Sequence, residues 1–166
     1  MKDDVFNRLA EALDRLPNGF PRTASNVEIR ILKKIFNEDE ADLASRLTVV
    51  QEPLSEIAAR LGSSEDELKP RLKALAERGV VWMSRKDAQL TFRLAPFIVG
   101  IYEAQIEKMD HEYAHLIEDY LSSGGAKGIM APNPALQRVV PGRHAIKSEY
   151  ILPYDDIKRM FENAKS

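Results

Sequence analysis

The stretch from Leu54 to Pro96 constrains the fold of this chain more than any other. In LSEIAARLG, Leu54, Ile57, Ala58 and Leu61 recur on one helical face, and Gly62 supplies a turn. Ser63-Ser64-Glu65-Asp66 then offers a fresh N-cap with acids in the first helical turn, where the helix dipole favours them. The helix that follows buries Leu68, Leu72 and Leu75 and stops at Gly79, a glycine suited to a left-handed C-cap. Pro70 lies inside this helix and removes one backbone hydrogen bond, but it is close enough to the first turn to predict a slight kink, not a break. VVWMSR next alternates as a strand, Lys86-Asp87-Ala88 is a short polar turn, and QLTFRLAP alternates back with Leu90, Phe92 and Leu94 on one face.

Two short helices joined by a tight turn form a helix-turn-helix, and the hairpin behind them is the feature that makes a wing. A generic helical domain with an unrelated hairpin is the alternative; order, caps, turn and hairpin together favour the winged helix. Upstream, Val5, Leu9, Ala12, Leu13 and Leu16 predict a helix over about 3–16, ended by Pro17-Asn18-Gly19. Ser25 is expected to cap a second helix that buries Val27, Ile31, Leu32 and Ile35, with Glu28 placed for a capping box. Asn37 is expected to cap a third over EDEADLASRL.

Downstream, one long helix is expected over 97–123. Val99, Tyr102, Ile106, Met109, Tyr113, Leu116 and Tyr120 are spaced alternately three and four residues apart, an apolar seam of about three heptads. Such a seam suits a homodimer interface, or packing onto the first helix of the same chain. Residues 124–166 read as a glycine-terminated loop, short strands near 138–140 and 149–152, and a final helix opened by Pro153. The expected fold class is therefore mainly α with a small β-hairpin. It comprises a winged helix-turn-helix domain over 1–96 with an N-terminal helical extension, a long connecting or dimerisation helix over 97–123, and a small mixed α/β tail.

Charge and composition narrow the function classes. Formal net charge is −2, which argues against a broad nucleic-acid-coating surface while leaving room for a local basic patch. Around the second helix of the motif, Glu65, Asp66, Glu67 and Glu77 balance Lys69, Arg71, Lys73 and Arg78. Arg85 and Lys86 at the wing tip and Arg60 add to the basic side, so the expected DNA or partner contacts are Arg60, Lys69, Arg71, Lys73, Arg85 and Lys86. Residues 97–123 hold six acids against one base and should face away from any phosphate backbone. The absence of cysteine excludes disulfides, thiolate metal sites and cysteine nucleophiles and suits the cytoplasm. The acidic, amphipathic start is unlike a signal peptide, and no apolar run approaches the ~20 residues of a membrane span.

Two motifs invite chemistry. His111-Glu112-Tyr113-Ala114-His115 matches the H-E-x-x-H pattern of zinc peptidases. Catalytic zinc needs a third protein ligand, which the surrounding pattern does not supply, and the two histidines fall opposite the apolar seam, on a solvated face. His111 and His115 are thus weak metal candidates, and a small zinc peptidase is a distant alternative. Gly124-Gly125-Ala126-Lys127-Gly128 lacks the Ser or Thr and the strand-to-helix setting of a phosphate loop, so a helix terminator is expected. His144 stands alone, no nucleophilic triad can be assembled, and the chain is expected not to be an enzyme.

Several longer stretches carry a family likeness. LDRLPNGFPRTASNVEIRILKKIFNEDEADLASRLT, the LSEIAARLG and ELKPRLKALAERGVVW core, APFIVGIYEAQIEKMD and IKSEYILPYDDIKRMFENAKS together resemble the amino-terminal half of a family of bacterial and archaeal iron–sulfur proteins. In that family a winged-helix region precedes a ferredoxin-like region whose cysteines hold four-iron four-sulfur clusters. The resemblance implies a non-catalytic winged-helix module acting in redox-linked regulation or electron transfer through dimerisation and docking to protein or DNA. A DNA-binding transcriptional regulator is the alternative. No cluster ligand can be carried over, because this sequence has no cysteine; no cofactor is expected in these residues, and the clusters would belong to a carboxy-terminal region expected beyond Ser166.

Overall fold

The computed structural model describes residues 5–126 and 161–162. The chain divides into two compact units, Met1–Leu136 and Gln137–Ser166. Of the second unit only Phe161 and Glu162 are described; both are helical and exposed. The strands expected near 138–140 and 149–152, and most of the final helix, lie outside the described residues.

The first unit is mainly helical with one small antiparallel sheet. Helix α1 (Val5–Asp14) is followed by α2 (Val27–Ile35) and α3 (Glu38–Ser45). Strand β1 (Glu52–Pro53) leads into α4 (Leu54–Leu61) and α5 (Glu65–Glu77), and then come β2 (Val81–Lys86) and β3 (Gln89–Leu94). The hairpin was expected; the third strand was not. Glu52 pairs with Phe92 and Pro53 with Thr91, giving the order β1-β3-β2. A two-residue strand containing proline leaves no alternation to read, and only its partner makes it visible.

Capping explains where the helices begin. Asn37 and Glu40 form a reciprocal capping box on α3, with bonds of 2.9 and 3.0 Å. Helix α2 departs from expectation. Ser25 does not cap it, and Asn26 occupies the cap position in the left-handed region without a side-chain bond. Thr23 takes that role instead: its Oγ1 accepts from Val27 N–H at 3.3 Å and donates to Glu28 Oε2 at 2.5 Å, while its own N–H donates to the same oxygen at 3.3 Å. Glu28 is thereby fully buried, with Arg22 Nε 3.0 Å from its other oxygen but outside hydrogen-bonding geometry.

The single helix expected over 97–123 is corrected to a broken path. A turn over Phe97–Ile101 holds Ile98 and Val99 in extended conformations, and a three-residue helix α6 (Tyr102–Ala104) and a 3-10 turn (Ile106–Lys108) follow. Helix α7 (His111–Tyr120) then starts afresh. The causes are local. The β-branched pair 98–99 favours extended backbone, and Glu103 Oε2 accepts from Gly100 N–H at 2.6 Å, which opens α6 separately. Asp110 accepts from Tyr113 N–H at 2.8 Å as the N-cap of α7.

Helix α7 packs on α2 within the same chain. Tyr113, Leu116 and Tyr120 are buried in the core, Tyr102 and Met109 are partly buried against it, and Val99 and Ile106 are exposed. The aromatic rings of Phe20, Phe97 and Tyr120 meet at 4.5 to 5.9 Å between centroids, and Tyr120 Oη donates to Pro21 O at 3.2 Å. Asn18 Nδ2 donates to Ile98 O. The NGFPRT and APFIVGIYEA stretches therefore close over one another.

Candidate functional site

The turn between α4 and α5 places the site. Gly62 is left-handed at φ 67°, and Ser63 N–H reaches back to Ala58 O at 3.1 Å, ending α4 sharply. Ser64 caps α5 by accepting from Glu67 N–H at 3.2 Å. Leu68, Leu72 and Leu75 are buried, which fixes the rotation of α5. At its far end Gly79 N–H bonds Ala76 O at 2.9 Å and Val80 N–H bonds Leu75 O at 3.1 Å, a Schellman motif that turns the chain into β2. Pro70 is accommodated inside α5 on its exposed side. Asp87 and Ala88, both at positive φ, make the two-residue turn of the hairpin.

This frame brings Glu65, Lys69 and Lys73, one stripe at four-residue spacing, opposite Arg85 of β2. Arg85 pairs with Leu90 across the hairpin, and the even alternation puts both on the face that Met83 and Phe92 share. Glu65, Lys69, Lys73 and Arg85, together with Ser55 and Gln89, line an open groove of about 380 Å³ between α5, the start of α4 and the hairpin. Its charged lining is three cations and one anion, Lys69, Lys73 and Arg85 against Glu65.

The other three expected contacts do not join the groove. Arg60 is tied into the scaffold, donating to Arg46 O at 2.7 Å and to Glu52 Oε2 at 2.8 Å. Arg71 lies 3.9 Å from Glu67 on its own helix and is not part of the lining. Lys86 is exposed at the hairpin end, paired with Gln89 in register. Ser55 and Gln89 are lining residues that sequence reasoning missed. Gln89 opens β3 next to Leu90 and so was within reach of the alternation pattern, whereas Ser55 depends on how α4 meets the hairpin and carries no local signal.

The H-E-x-x-H residues are exposed on α7, with the two imidazole rings 4.4 Å apart between centroids. Glu112 is engaged by Lys34, which also holds Asp110 at 2.7 Å. Hydrogen bonds from Lys34 keep the Asp110 carboxyl below the usual carboxylate range, and the same bonds raise the Lys34 ammonium above its own. Among the described residues no group of three or more His, Asp or Glu is placed to hold a metal ion. Gly124, at φ 112°, breaks the helical path and Gly125 is buried beside the Tyr120 ring, but Ala126 directly after them is helical again, so the expected terminator is a kink. Among the described residues no helix is long and apolar enough to cross a membrane. In comparisons with known proteins, the chain matches no family model and no curated protein.

Proposed function

We propose that this chain is a non-catalytic docking module of the winged-helix type, and that the groove between α5 and the hairpin receives the phosphate backbone of nucleic acid. The observation that carries this is the convergence of Lys69, Lys73 and Arg85 on one concave surface. Ammonium and guanidinium groups on such a surface neutralise phosphates and release counterions, which is the main source of sequence-independent affinity. The exposed acids Glu65, Asp66 and Glu67 at the start of α5 oppose entry of that helix end into a major groove, so backbone contact along the groove is favoured over base readout.

Those same acids favour a second reading, in which the winged helix docks a protein partner. The likeness of the NGFPRT and APFIVGIYEAQ stretches to cluster-bearing proteins supports a setting in redox-linked regulation or electron transfer, and a cysteine-rich continuation of the reading frame past Ser166 would test it. The homodimer expected from the 97–123 seam has a narrower basis, with Val99 and Ile106 its exposed members.

Fluorescence anisotropy with a labelled DNA duplex tests the groove. Lys73→Ala and Arg85→Ala should each weaken binding, while Arg71→Ala, outside the groove, should leave it nearly unchanged. Equal loss from all three would place the contact elsewhere, and no binding at low salt would leave the protein-docking reading.

A further inference from the structure

We propose that His111 and His115 form a surface chelate for one divalent transition-metal ion of the zinc, nickel or copper type. The two residues occupy the first and fifth positions of α7, so they lie one turn apart on the same face. Their ring centroids are 4.4 Å apart and both side chains are exposed. With metal–nitrogen bonds of about 2.0–2.1 Å, two imidazoles sharing one ion at near-right to tetrahedral angles have centroids roughly 4.5–5 Å apart. The ring spacing is therefore close to that of a pair sharing one ion, and side-chain rotation from the edge-to-face arrangement aims one nitrogen of each ring at it.

The surroundings favour a cation and a defined ligand atom. Residues 97–123 hold six acids against one base; Lys34 pairs with two of them, Asp110 and Glu112, and the acidic excess that remains raises the local cation concentration. Glu118 Oε2 lies 3.7 Å from His115 Nδ1, beyond hydrogen-bonding distance here, and a closer approach would orient the imidazole and leave Nε2 to the metal. Imidazole donors select zinc, nickel or copper over magnesium or calcium, which prefer oxygen. Glu112, the general base of a peptidase motif, is paired to Lys34 instead, so the site holds a metal without the base that hydrolysis requires. With two protein donors, the ion keeps coordination positions for water or for a donor from another molecule.

Calorimetric titration of the whole chain with zinc or nickel chloride tests this. The expected result is one ion per chain, with His111→Gln and His115→Gln each weakening binding by roughly tenfold or more. Glu112→Gln and His144→Gln should leave affinity unchanged. All four changes are to be checked by circular dichroism for an intact fold, and a metal-induced rise in melting temperature should disappear in the double histidine variant. Failure to bind below millimolar ion, binding that survives the double variant, or loss of binding in Glu112→Gln would each overturn the assignment.

Discussion

Residues 54–94 and residues 97–125 contain equally regular apolar patterns, yet only the first folds as its pattern predicts. In 54–94 each apolar stripe is bounded by a cap or a left-handed glycine, so local and tertiary signals agree. In 97–125 the heptad spacing runs through Gly100 and Asp110, and a separate helical segment starts after each of them despite it. Periodicity states which residues seek burial; the caps and breakers decide what backbone carries them there.

The largest effects expected from this contrast lie within the seam itself. Leu116→Ala should destabilise the fold by about 2–5 kcal/mol, since it removes a buried side chain from the α2–α7 contact. Ile106→Ala, at a seam position that is 51% exposed, should stay within roughly 0.5 kcal/mol. Urea unfolding distinguishes the two, and comparable losses would mean that the seam acts as one interface after all.

Glycine replacements probe the other region. At Gly79 (φ +73°) an added Cβ would collide with Ala104 Cβ, whereas at Gly62 (φ +67°) it would meet open space. Left-handed strain alone costs about 1–2 kcal/mol. With overpacking added, Gly79→Ala should cost about 2–4 kcal/mol, and Gly62→Ala only the smaller amount. Equal melting-temperature losses would show that Ala104 yields to the new methyl.

Two buried hydroxyls give a subtler contrast. Tyr120 Oη donates to Pro21 O, so Tyr120→Phe should cost about 0.5–1.5 kcal/mol. Tyr113 Oη is buried with no hydrogen-bond partner among the described residues, so Tyr113→Phe should be neutral or stabilising. Burial pushes both hydroxyls upward in pKa, so neither phenolate should form in the native state at neutral pH.

How much of this was legible in the sequence follows from the range of each signal. Ser64, Asn37, Gly62 and Gly79 act within one turn of backbone, and their roles could be read directly. The cap of α2 was misassigned because Ser25 and Thr23 are both good candidates locally, and only burial of Glu28 selects Thr23. The stripe Glu65-Lys69-Lys73 was visible, but which basic residues face it was not. Arg60 had the same sequence credentials as Arg85 until its bonds to Glu52 and Arg46 removed it. The broken 97–125 path was legible in principle through Gly100 and Asp110, though the longer apolar period masked them.

The smallest expected effect is acid-linked. Partial burial works to raise the Asp42 carboxyl, but hydrogen bonds from Arg8 at 2.6 Å and Arg46 at 3.2 Å outweigh it and hold the group below its ordinary range. A carboxyl whose pKa is lower folded than unfolded contributes stability above the unfolded value, about 3.9, and loses it as pH falls through the folded value. Because the pair is a third exposed, the contribution should be under about 1 kcal/mol. Stability curves of the wild type and Asp42→Asn should converge in that acid window; a constant gap down to the lowest pH would place the effect in packing.

The salt dependence of DNA binding tests most directly whether the groove receives a phosphate backbone. Three phosphate contacts through Lys69, Lys73 and Arg85 predict that log K falls against log salt with a slope of about −2.7. Lys73→Ala should reduce that slope by about one. A slope near zero, or one unchanged in Lys73→Ala, would contradict the assignment of this groove to a phosphate backbone.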